Sequence, residues 1–218
     1  MRARTVLALI LPLAVAAPAV AQAPPNIDPK QIKEKVKQGV AEVLAASEEK
    51  TVTLEGIVKI TYKAMPTNPQ KIAEILKQEG KLGQLPPNVD IDQYIGMFRD
   101  DITEMLNENL ATLGTIEPLV PLKLRSKKLP VGSYPFGLAF EGELPVAFVI
   151  TCEDEEVNKG KPLAIKLKTA SVDLLDELAV ELIEPKKQKE GKEKFDIRIS
   201  FMRSLAQTKS SLERTSDD

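Results

Sequence analysis

Five groups of residues have types and spacings that could do chemistry. Ser47-Glu48-Glu49-Lys50 fits S-x-x-K, in which a serine nucleophile opens a helix and the lysine one turn on takes its proton. Here the serine falls at a predicted helix end, and no S-D-N or K-T-G partner accompanies it; Lys168-Thr169-Ala170 is a near miss. Glu153-Asp154-Glu155-Glu156 is the densest acidic run. Calcium needs about six to eight oxygens from alternating positions around a glycine turn, so four consecutive carboxylates read as a solvated turn. Asp100, Asp101 and Glu104 share a predicted helix, with Glu117 beyond it. Paired carboxylates can hydrolyse glycosides, but this chain has no tryptophan and three tyrosines for sugar stacking, so a solvated helix surface is expected. Lys123, Arg125, Lys127 and Lys128 form a basic cluster, suited either to an anionic surface or polymer or to guarding a strand edge. Cys152 continues the alternation of Val146, Phe148 and Ile150 and is expected to be a buried, inert thiol.

The composition narrows this chemistry further. The 218 residues include no histidine and one cysteine. The commonest general base and transition-metal ligand is therefore missing, and so are an internal disulfide, a cysteine-cluster zinc site and an iron–sulfur cluster. No catalytic residue, metal ligand or cofactor is assigned, and the sequence names no binding residue. With 43% hydrophobic and 28% charged residues, the chain reads as globular.

The N-terminus reads as a bacterial export signal over residues 1–21. Arg2 and Arg4 precede an apolar stretch and two A-x-A sites, Ala19-Val20-Ala21 and Ala21-Gln22-Ala23. Cleavage after Ala21 is favoured, because the alternative leaves Pro24 beside the scissile bond. Retention as an uncleaved anchor is the competing reading; the stretch is near the lower limit for a span and contains Pro12 and Pro18. Cleavage would leave 28 basic against 32 acidic residues, a net charge of −4. That balance argues against nucleic acid. No other run reaches about 18 apolar residues, so no transmembrane segment is expected after cleavage.

Residues 22–27 read as an exposed leader and 28–204 as a single α+β domain, helix-rich over 28–114 and strand-rich over 118–202. Asp28-Pro29 has the cap chemistry of a helix start, and Ile32, Val36, Val40, Val43 and Leu44 form one face. Residues 51–62 alternate as one long strand bent at Gly56 or as two short ones. A second helix carries Ile72, Ile75 and Leu76. A third runs from Asp90 to Leu113, closed by Gly114, and at ~1.5 Å per residue spans roughly 35 Å. The period then changes to two: Val120, Leu122 and Leu124; Phe136, Leu138 and Phe140; Leu163, Ile165 and Leu167; Leu178, Val180 and Leu182; Phe195, Ile197, Ile199 and Phe201. Helices followed by strands predict an antiparallel sheet or β-sandwich of about six to seven strands with two to three amphipathic helices in the N-terminal half. Residues 205–218 lack apolar periodicity and are expected to be a disordered tail.

Leu129-Pro130-Val131-Gly132-Ser133-Tyr134, followed by the alternating residues 135–140, resembles the L-P-x-G-x-Y lead into a strand found in exported β-sandwich modules. With the strand over 56–62 upstream, the chain resembles a family of exported bacterial β-sandwich proteins of unknown function, over residues 54–63 and 120–202. The hexapeptide also occurs in carbohydrate-binding-like and transthyretin-like modules. The tryptophan-arginine and Gly-Arg segments of the family are replaced here by helices, so no functional residue carries over.

The leading expectation is an exported, non-enzymatic binding or interaction module at the cell envelope, periplasmic or extracellular, contacting an envelope protein through the long helix or the basic cluster. The alternative is a periplasmic carrier of apolar small molecules or lipid, with Phe136, Phe140 and Phe148 lining a cavity. The remote alternative is a hydrolase using carboxylates or a Ser–Lys pair.

Overall fold

The alternating runs of the C-terminal half become strands, and every strand pairing is antiparallel. The structure, a computed structural model, describes residues 29–80, 96–97, 99–142, 144–154, 157–185 and 193–215. The expected signal, leader, Asp28 cap and residues 90–95 and 98 of the long helix lie outside these residues. Among the described residues no helix is long and apolar enough to cross a membrane.

Three helices precede most of the sheet: α1 (Pro29–Ala45), α2 (Pro69–Gln78) and α3 (Arg99–Leu110). The strands are β1 (Glu48–Leu54), β2 (Val58–Ala64), β3 (Gly114–Pro118), β4 (Leu122–Leu124), β5 (Lys127–Leu129), β6 (Tyr134–Glu141), β7 (Leu144–Ile150), β8 (Leu163–Ser171), β9 (Ala179–Ile183), β10 (Lys194–Phe201), β11 (Ser204–Thr208) and β12 (Leu212–Arg214). They run in the order β1-β2-β3-β6-β7-β8-β11-β10-β12-β4-β5, with β9 on the other edge of β10. The sheet curls back on itself. The amide N–H of Leu178 donates to the carbonyl of Met65, that of Thr67 donates to the carbonyl of Asp176, and β9 comes beside β1.

The inner face is apolar because period-two side chains from β2, β3, β6, β7, β8 and β10 fall on it. Ile60, Ile116, Phe136, Phe148, Ile150, Ile165, Ile197 and Ile199 are all buried. Phe136 stacks on Phe148 with ring centroids 4.9 Å apart. Phe140 meets Phe201 edge-on at 6.1 Å; their strands are not neighbours, so this contact crosses the interior. The helices join the same core through Val36, Val40, Ile72, Leu76, Ile102 and Leu106. Lys33 and Lys37, one turn apart on α1, both reach Asp101 of α3, at 2.8 and 2.9 Å.

The fold class is α+β, mostly antiparallel sheet with three α-helices among the described residues, but twelve strands there replace the expected six or seven. The alternation of Val120, Leu122 and Leu124 becomes the three-residue β4, while β5 and β12, also three residues long, are too short to show a period. Residues 48–64 form a hairpin whose turn holds Gly56 at φ 68°, the two-strand form of the reading. Gly114 does not cap α3. It opens β3, where a Cβ would stand 2.1 Å from the carbonyl oxygen of Thr61. The expected tail is also corrected. Residues 204–208 and 212–214 are strands, with Ala206 and Leu212 buried. Their polar spacer is bound rather than free: Ser211 Oγ donates to Asp196 Oδ1 at 2.6 Å, and Thr215 Oγ1 donates to the carbonyl of Pro121 at 2.7 Å.

Candidate functional site

The residues of the S-x-x-K motif are not brought together for catalysis. Ser47 Oγ donates to the Val43 carbonyl at 3.3 Å, closing the end of α1. Lys50 lies on β1 and forms an ion pair and hydrogen bond with Glu177, which raises its pKa. A proton acceptor needs the neutral amine, and this pairing favours the ammonium. The carboxylates are likewise separated. Asp101 is held by α1, and hydrogen bonds from Lys33 and Lys37 keep its pKa below the usual range. Glu117 pairs with Lys59 at 3.5 Å. Asp100 and Glu104 lie elsewhere on the α3 surface. Glu153 and Asp154 are exposed at the end of β7, and Glu155 and Glu156 fall outside the described residues. No three carboxylate or thiol groups converge among the described residues.

Cys152 is 2% exposed. Burial pushes its thiol pKa up, opposed by the Leu163 amide N–H and the charge of Lys127. Its S–H lies 3.8 Å from the Ile150 carbonyl. Phe136 and Phe148, two of the rings expected to line a cavity, are buried against one another.

The basic cluster becomes a single feature, the β4–β5 hairpin. Leu122, Leu124 and Leu129 turn into the core, while Lys123, Arg125, Lys127 and Lys128 are exposed. Arg125 sits in the turn at φ 54°, and its Nε donates to Ser210 Oγ at 3.2 Å. Lys123 stands directly opposite Lys128, a like-charge pairing that costs stability. Glu213, across the ladder from Lys123, is bonded instead to Lys194 at 3.1 Å. None of the four cations pairs with a carboxylate among the described residues.

A second feature had no signal in the sequence. A groove of about 680 Å³ lies between α2, α3 and the β10–β11 turn. Gln70, Ala73 and Lys77 line it from α2, and Arg99, Thr103 and Asn107 from α3. Phe201, Met202 and Arg203 close it from the turn. Met202 has φ 48°, a conformation that costs a residue with a Cβ roughly 1–2 kcal/mol. Thr67, fully buried, holds it there. Its Oγ1 accepts the Met202 N–H at 3.0 Å and donates to the Leu175 carbonyl at 3.2 Å. The Leu175 N–H donates back to the Met202 carbonyl at 2.7 Å. Asn68 is fully engaged as scaffold: Oδ1 accepts from the Gln70 amide at 3.0 Å, and Nδ2 donates to Asp176 Oδ1 at 2.7 Å. Asn68 caps α2 and Pro69 opens it, but nothing local in the sequence points to Asp176 and Met202 as the partners of this segment.

Against known proteins, the chain matches no family model, no curated protein and no solved structure.

Proposed function

We propose that this chain is an exported, non-enzymatic binding module of the bacterial cell envelope, and that the β4–β5 hairpin is its contact with an anionic envelope component. The observation that carries this reading is the set of four exposed cations on one hairpin, two of them directly opposed and none paired with a carboxylate among the described residues. Opposed lysines repel one another in the free protein, and an anionic partner relieves that repulsion. The hairpin is also the end of the sheet order, a position open to a partner. The export signal and the resemblance to exported β-sandwich proteins support the location. The carrier reading receives less support, because Phe136 and Phe148 pack on each other where a cavity was expected.

The test is retention of the purified chain, lacking residues 1–21, on a bacterial envelope fraction across a salt series. Retention should fall as salt rises, and Lys123→Gln/Lys128→Gln should sharply weaken it while leaving the unfolding midpoint unchanged or higher, because the opposed charges are removed. Equal retention of the wild type and the double variant would overturn the assignment of the hairpin. Recovery of the full-length chain from the cytosol, with residues 1–21 intact, would overturn the location.

A further inference from the structure

We propose that the groove between α2, α3 and the β10–β11 turn binds a small amphipathic anion: one carboxylate or phosphate monoester head on a short apolar tail. The site is separate from the basic hairpin and does not depend on it.

Charge selects the head. Arg99 lines the groove from α3 and Arg203 from the β10–β11 turn, and neither guanidinium pairs with a carboxylate among the described residues. Glu74, the acidic side chain among the described lining residues, is already bonded to Lys71 at 3.2 Å. A guanidinium presents a planar fork of donors that matches a carboxylate or phosphate oxygen pair. Asn107, on the same wall of α3, brings a side-chain amide to the groove, while the Thr103 hydroxyl beside it already donates to the Arg99 carbonyl at 2.9 Å.

The remaining wall selects the tail. Ala73, Leu174, Phe201 and Met202 give the groove an apolar side. Met202 is the informative residue. Glycine would occupy its left-handed backbone without strain, yet this position carries a long thioether and is fixed by the buried Thr67 hydroxyl. The positive φ belongs to the two-residue β10–β11 loop; what this residue adds to the groove is a thioether, which adapts its shape to irregular apolar ligands. An ion without a tail would leave this wall unused.

The probes are octyl phosphate and octanoate, compared with inorganic phosphate and octanol, titrated by calorimetry and by NMR of the Ala73 and Met202 methyl groups. Both amphipathic anions should bind and shift those methyls, with octyl phosphate and octanoate distinguishing a phosphate from a carboxylate head. Arg99→Gln and Arg203→Gln should each weaken binding roughly tenfold. Met202→Gly should weaken the octyl ligands and leave inorganic phosphate unchanged. Octanol binding as tightly as octyl phosphate would overturn the anionic head, and inorganic phosphate binding as tightly would overturn the tail. Absence of binding at millimolar concentration, binding without methyl shifts, or unchanged affinity in both arginine variants would overturn the site. Unfolding curves of each variant separate loss of binding from loss of fold.

Discussion

The Thr67 hydroxyl accepts the backbone N–H of Met202 at 3.0 Å, joining segments 135 residues apart in the chain. It also donates to the Leu175 carbonyl, so both of its hydrogen-bonding roles are filled at a site without solvent exposure. Thr67→Val keeps the shape but leaves the Met202 N–H and the Leu175 carbonyl short of a partner. The expected loss is about 1–3 kcal/mol by urea denaturation, with Thr67→Ser retaining most of the stability. Equal stability of the valine variant would show that the hydroxyl does not hold the turn.

The clasp of Asp101 by Lys33 and Lys37 makes part of the stability depend on pH. Hydrogen bonds from both lysines depress the Asp101 pKa in the folded chain. A depressed carboxylate contributes fully above its unfolded pKa of about 3.9, and the contribution is lost as pH falls through the folded value. Asp101→Asn should therefore be less stable than the wild type at neutral pH, and the gap should close in strong acid. The Lys37 pKa is raised, chiefly by its hydrogen bond to Asp101. Its contribution is complete below the unfolded lysine pKa and disappears as pH rises through the folded value. Denaturation curves across the pH range check both limbs; a pH-independent gap would contradict them.

Gly137 and Gly96 should respond to alanine with opposite signs. A Cβ on Gly137 would stand 2.0 Å from the carbonyl oxygen of Ala111 and 2.9 Å from that of Leu110. These are backbone atoms at the end of α3, so they cannot swing aside. Gly137→Ala should cost about 1–3 kcal/mol. Gly96 is helical, and its Cβ would meet nothing within 4 Å, so Gly96→Ala should gain roughly 0.5–1 kcal/mol. Thermal or urea unfolding reads both.

Cys152 should behave as a reporter of unfolding. Its thiol is buried and its pKa is raised by that burial, so the native chain offers little accessible thiolate. Labelling with a thiol reagent at neutral pH should be slow in the folded protein and rapid in urea, with the labelled fraction following the unfolding curve. Fast labelling under native conditions would mark a reactive thiol instead.

Much of the interior could be read directly from spacing. Phe195, Ile197, Ile199 and Phe201 alternate in sequence and are all buried on β10, because a pleated strand sends every second side chain to one face. The i, i+4 rhythm of Ile32, Val36 and Val40 likewise set the buried face of α1. The basic cluster was visible as composition, and the signal-like N-terminus as a charge and hydropathy pattern. Tertiary structure alone determined the rest. Strands β5 and β12 show no period of their own: β12 is held between β10 and β4, and β5 forms only as the second arm of the β4 hairpin. Lys123 and Lys128 oppose one another only through the register of that hairpin. Ala73, Arg99, Met202 and Arg203 share a groove, and the buried Thr67 reaches Met202 behind it, only because the sheet curls until the segment after β2 meets the β10–β11 turn. Periodicity and capping act over a few residues, so the sequence expresses them locally. Which distant segments meet follows from the closure of the whole sheet and leaves no mark on any one segment.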